Sequence, residues 1–84
     1  MERSEFEHEM MKAEIFIEAG DRIDYWEGYR RGLRRRYHGE NFGTPEEHKL
    51  WMSRSDDLDQ TRSERGRGYR DGYHGRSPIL GSLG

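Results

Sequence analysis

Between Tyr25 and Tyr37 the chain reads YWEGYRRGLRRRY, and no other stretch limits the fold as much. Trp26, Tyr29, Leu33 and Tyr37 recur at steps of three and four, which predicts one face of a helix. Gly28 and Gly32, four apart, share a neighbouring face. A mid-helix glycine costs about 1 kcal/mol relative to Ala. A helix that keeps two is expected to let another backbone approach closely. Arg30, Arg31, Arg34, Arg35 and Arg36 cover much of the remaining circumference, with Glu27 as the single acid of the stretch. Two readings fit: an amphipathic helix with a solvated basic face, or a recognition helix for phosphate, carboxylate or an acidic protein groove. Arg in place of Lys favours planar, bidentate contacts.

The rest of the chain gives that helix limited support. Its 84 residues are 30% hydrophobic and 38% charged, enough for one small domain. With no cysteine there is no disulfide staple and no thiolate metal site. No apolar run approaches the roughly 20 residues of a membrane span, and the acidic N-terminus lacks a signal-peptide pattern. A soluble, cytoplasmic protein is expected. The net charge of −2 hides blocks of alternating sign. Residues 1–24 hold three bases and eight acids, and residues 25–39 five and one. Residues 40–61 hold two and six, and residues 62–84 five and two. Such blocks pair within a fold or between two copies of it.

An all-α fold is predicted, a helical hairpin or a bundle of three to four short helices packed around Phe6, Met10, Ile17, Trp26, Leu33 and Trp51. A first helix is expected over Ser4 to Ala19, with Ser4 and Glu7 as a capping box and Phe6, Met10, Ala13 and Ile17 as its apolar stripe. Asp21 is expected to cap the second helix, which ends at His38-Gly39. Thr44-Pro45-Glu46-Glu47 is the strongest local start signal: an N-cap, a proline at the first helical position and a closing Glu. The third helix runs from Pro45 to about Ser53. A fourth is expected over about Asp57 to Tyr73, through Leu58, Arg62, Arg65 and Tyr69. Residues 1–75 would form the domain, and residues 76–84 a flexible tail with Ile79 and Leu80 as its apolar groups.

Gly28-Tyr29-Arg30-Arg31-Gly32 is echoed 40 residues later by Gly68-Tyr69-Arg70-Asp71-Gly72. The echo predicts two similar helices meeting through their glycine faces, with Tyr29 and Tyr69 flanking the contact. On Gly28, Tyr29, Gly32, Trp51, Gly68, Tyr69 and Gly72 the chain resembles the ribosome modulation factor family. These are small bacterial proteins of two helices and a linker that bind the ribosome and put it into an inactive state. The present chain differs in its net negative charge, in a longer stretch between Trp51 and Gly68, and in its acidic N-terminal helix.

Nothing in the sequence suggests an enzyme. His38, His48 and His74 lack metal-ligand spacing, no nucleophile motif is present, and Asp56, Asp57 and Asp59 miss the calcium-loop register. No cofactor, metal or small-molecule substrate is expected. The resemblance implies a regulator that binds a bacterial ribosome or other RNA-containing machine. Tyr29, Arg30, Arg34, Arg35, Arg67, Tyr69 and Arg70 would be its contacts, the arginines on phosphates and the tyrosines stacking or packing. The alternative is a protein inhibitor. In size, charge and composition the chain is similar to phage-encoded anti-CRISPR proteins, which bind a CRISPR effector and block its DNA site. Glu5, Glu9, Glu14 and Glu18 would then copy phosphate charge. A homodimer pairing the acidic helix with the Arg helix is compatible with either.

Overall fold

The computed structural model describes residues 1–75. It contains four α-helices, α1 (Arg3–Glu18), α2 (Ile23–His38), α3 (Pro45–Ser53) and α4 (Gln60–His74). Short 3-10 turns, Gly39–Asn41 and Arg54–Asp56, bracket α3. No strand occurs among the described residues, so the all-α expectation holds. The expected tail, with Ile79 and Leu80, lies outside the described residues.

The helix boundaries follow from local hydrogen bonding, and three differ from expectation. Ser4 does not cap α1, which is preceded by Glu2 with no side-chain cap. Glu7 is taken instead by Arg3, whose Nε donates to its carboxylate at 2.9 Å. Asp21 does not cap α2 because it closes α1. Its N–H donates to the Phe16 carbonyl and that of Gly20 to Ile17, both at 3.0 Å, with Gly20 at φ 75°. This is a Schellman closure. Arg22 then occupies the cap position at φ 53°, a conformation costing about 1–2 kcal/mol for a non-glycine residue. Its guanidinium lies 4.3 Å from the Tyr25 ring centre and 3.0 Å from the Glu64 carboxylate, which hold it there. α4 starts at Gln60, later than expected, because the Asp59 carboxylate accepts from the Arg62 N–H at 3.0 Å. Leu58 therefore lies outside the helix and is fully exposed. α3 starts as its signal predicts, with Thr44 Oγ1 accepting from the Glu47 N–H at 3.1 Å.

The centre of the fold is α2 against α4. A Cβ at Gly28 would strike the Arg65 carbonyl oxygen, and one at Gly32 that of Tyr69. Reciprocally, a Cβ at Gly68 would strike the Tyr25 oxygen, and one at Gly72 that of Tyr29. Residue numbers rise together along both helices, so the pair is parallel. Each contact maps onto its counterpart by the 40-residue offset of the sequence echo. The two helices are thus related by a local pseudo-two-fold axis along the bundle. The glycine Cα–H groups aim at these carbonyls, a recurring weak hydrogen bond at close helix contacts. A parallel pair needs a return path, and residues 39–59, with α3, supply it.

The outer helices continue the symmetry. α1 packs on α2, and α3 on α4. Phe16 stacks on Trp26 with ring centres 4.7 Å apart, and Phe6 on Tyr37 at 4.3 Å. Ala13, Tyr25, Trp26, Tyr29 and Leu33 form the core, flanked by Phe6, Met10, Phe16 and Ile17. Trp51, expected in this core, is only half-buried and lies across α4 on Tyr69, at 5.6 Å between ring centres.

Candidate nucleic-acid interface

α3 and the turns beside it collect arginines from three elements. Trp51 is the seventh helical residue after Thr44 releases the chain into α3. Arg54 follows three residues later, where helical spacing returns its side chain to the same ring. Its guanidinium carbon lies 4.6 Å from the Trp51 ring centre. Arg31 of α2 reaches the same indole at 5.0 Å and the Phe42 ring at 5.8 Å. Arg35 donates to the Phe42 carbonyl at 2.9 Å, and Arg70 to Ser55 Oγ at 3.0 Å. Each of the seven ion pairs among the described residues involves other cations. Arg31, Arg35, Arg54 and Arg70 therefore have no carboxylate in salt-bridge range among the described residues.

Beneath that surface, His48 Nδ1 and the Tyr69 hydroxyl are 2.8 Å apart and tie α3 to α4. Burial, and then the charges of Arg35 and His74, push the His48 pKa below its ordinary value. Neutral His48 is the form this site prefers, and its Nδ1 can then accept from Tyr69. Burial also raises the Tyr69 hydroxyl.

The residues expected to bind a macromolecule do not act as one set. Tyr29 and Tyr69 are each 2% exposed and pack inside the bundle, leaving no ring face for a base to stack on. The Tyr29 hydroxyl donates to the Glu9 carboxylate at 3.0 Å. Arg30 is half-buried between Glu14 at 3.8 Å and Glu27 at 3.9 Å, and Arg67 lies 3.7 Å from Glu64. Arg34, Arg35 and Arg70 have no carboxylate in salt-bridge range among the described residues. The acidic face of α1 is divided as well. Burial works against the Glu9 carboxylate, but hydrogen bonds from Lys12 and Tyr29 outweigh it and lower its pKa. Glu5 and Glu18 remain exposed.

Two clefts open beside these side chains. One of about 480 Å³, at the C-terminal ends of α2 and α4, is lined by Arg35, Arg36, Gly39, Glu40, Tyr73 and His74. The other, about 300 Å³, is lined by Ile23, Glu27, Arg31, Trp51 and Arg65. Among the described residues no His, Asp and Glu group is placed to hold a metal ion, and no helix is long and apolar enough to cross a membrane. Sequence reasoning did not place Arg31 and Arg54 in the site. The three-residue step from Trp51 to Arg54 was a usable signal, whereas the approach of Arg31 depends on the tertiary packing. No family model matches the chain, and no curated protein or solved structure is significantly similar to it.

Proposed function

We propose that the protein is a small non-enzymatic regulator that docks on a bacterial nucleoprotein machine through its RNA, as its resemblance to the ribosome modulation factor family implies. One observation carries this reading: Arg31 and Arg54 lie over the Trp51 ring, Arg35 and Arg70 bind the neighbouring Phe42 carbonyl and Ser55 hydroxyl, and none of the four has a carboxylate in salt-bridge range among the described residues. Guanidinium groups without an internal carboxylate suit phosphate. Pairing of the two GYxxG segments supports the resemblance in a second way. It makes them the rigid frame on which the arginines are mounted.

The test is a pull-down of the tagged protein from bacterial lysate, with and without nuclease, across a salt series. Ribosomal RNA and proteins should be recovered and then lost with nuclease. Four phosphate contacts to single-stranded RNA predict an affinity loss of about 50-fold between 50 and 200 mM salt. An Arg31→Glu, Arg54→Glu double variant should recover nothing, while Glu14→Lys, Glu18→Lys should bind as the parent does. Recovery of a protein complex that survives nuclease and needs the α1 carboxylates would replace this reading with that of an effector inhibitor.

A further inference from the structure

We propose that the outer face of α1 is a homodimer interface, on which a second copy of this chain lays its own α1 antiparallel. The proposal goes beyond the nucleoprotein reading and is independent of it, since α1 holds none of Arg31, Arg35, Arg54 and Arg70.

α1 is apolar on two sides. Phe6, Met10, Ala13 and Ile17 face the core. Helical spacing puts Met11 and Ile15, one turn apart, on the opposite side. They are 62% and 60% exposed, more than any other large apolar side chain of the four described helices. Single exposed apolar groups are ordinary. These two, however, belong to the stripe His8, Met11, Ile15 and Glu18, whose steps of three, four and three are those of a coiled-coil seam. The stripe is self-complementary. His8 and Glu18 lie five residues either side of Ala13, and Met11 and Ile15 two. Antiparallel α1 helices crossing at Ala13 set Met11 of one copy against Ile15 of the other, and His8 against Glu18. Each pair forms twice, as an isologous contact requires. A parallel pair would set Glu18 against Glu18 instead. His8 and Glu18 are exposed, with no ion-pair partner among the described residues. The flanking acids are matched within their own chain, Glu7 by Arg3 at 2.9 Å and Glu14 by Arg30 at 3.8 Å. The core-facing sides of both helices point away from the contact, so the two bodies do not collide. A helix of 16 residues is about 24 Å long and makes a contact below standard size, hence a weak, reversible dimer.

The experiment is sedimentation equilibrium of the full-length protein, without nucleic acid, from about 10 µM to about 1 mM, the range of weak association. The mass should rise from 10.1 kDa toward twice that value. Ile15→Glu should weaken the dimer about a hundredfold, because symmetry counts the change twice. Residue 15 is exposed, so this variant should keep the parental circular dichroism. His8→Glu should weaken the dimer about tenfold by setting it against Glu18, and adding Glu18→His should restore it. The chain has no cysteine, so an equal mixture of Met11→Cys and Ile15→Cys chains should oxidise mainly to the mixed disulfide. A monomer at every concentration overturns the proposal. So does a dimer that Ile15→Glu leaves intact, since its contact lies elsewhere. Disulfides formed mainly between like variants refute the antiparallel arrangement. RNA recovery depends on other residues, so this proposal and the nucleoprotein reading fail separately.

Discussion

Replacing Gly68 by Ala should destabilise this protein, although helix propensity alone predicts the reverse. Gly68 lies inside α4, where Ala is preferred by about 1 kcal/mol. The added methyl would fall on the Tyr25 carbonyl oxygen, far inside the 3.4–4 Å of ordinary contact. That obstacle is backbone and cannot swing aside, so the whole of α2 has to withdraw. Overpacking costs about 1–3 kcal/mol. A gap of even 0.5–1 Å forfeits a quarter to a half of each dispersion contact along the seam. Taking the upper figure and subtracting the propensity gain leaves a net loss of about 2 kcal/mol. For a domain of this size that lowers Tm by about 8–16 °C. Gly28→Ala, which meets the Arg65 carbonyl across the pseudo-two-fold axis, should behave alike. The double variant should cost clearly less than the sum, because one withdrawal accommodates both methyls. Thermal melts followed by helical circular dichroism read all three. A rise in Tm for either single variant would refute the parallel glycine seam.

Three further outcomes follow from particular contacts. Tyr25→Phe should lower stability by about 1.5–3 kcal/mol in urea unfolding, since the hydroxyl of this 1%-exposed residue donates to the Asp71 carboxylate at 2.6 Å. Thr44→Ala should cost about 1 kcal/mol and fray the start of α3, raising amide exchange from Glu46 to His48. His48 should make stability fall as the pH drops below about 6.5. Its pKa is lowered in the fold, so the unfolded chain takes up the proton first and the folded state loses ground until the lowered pKa is passed. Urea midpoints at pH 8 and pH 5.5 should show this for the parent. A His48→Asn variant, which keeps a partner for Tyr69, should flatten the difference.

Much of the architecture was legible along the chain because it rests on short-range chemistry. Thr44 and Pro45 set the start of α3 whatever surrounds them, since an N-cap and a missing N–H act within one turn. The stripes Phe6, Met10, Ala13, Ile17 and Trp26, Leu33, Tyr37 identified the faces that α1 and α2 share. Even the seam between α2 and α4 was foreshadowed, because four mid-helix glycines are costly unless a backbone lies against them. Competition among neighbours was harder to read. Ser4, Asp21 and Asp57 all have good capping chemistry. Glu7 nevertheless pairs with Arg3, Asp21 closes α1, and Asp59 takes the start of α4.

The site depended on the third dimension. One-dimensional spacing cannot tell which arginine of a dense cluster will face an acid. The packing of the four helices sends Arg30 toward Glu14 of α1 and Arg31 toward Trp51 of α3, though the two are adjacent in sequence. It also buries Tyr29 and Tyr69, whose aromatic character alone suits stacking as well as packing. The sequence by itself determined four helices and a glycine seam, since propensity, capping and periodicity are properties of neighbouring residues. Only the tertiary structure decided which charges are cancelled and which remain available to a partner, because that depends on distances between residues far apart in the chain.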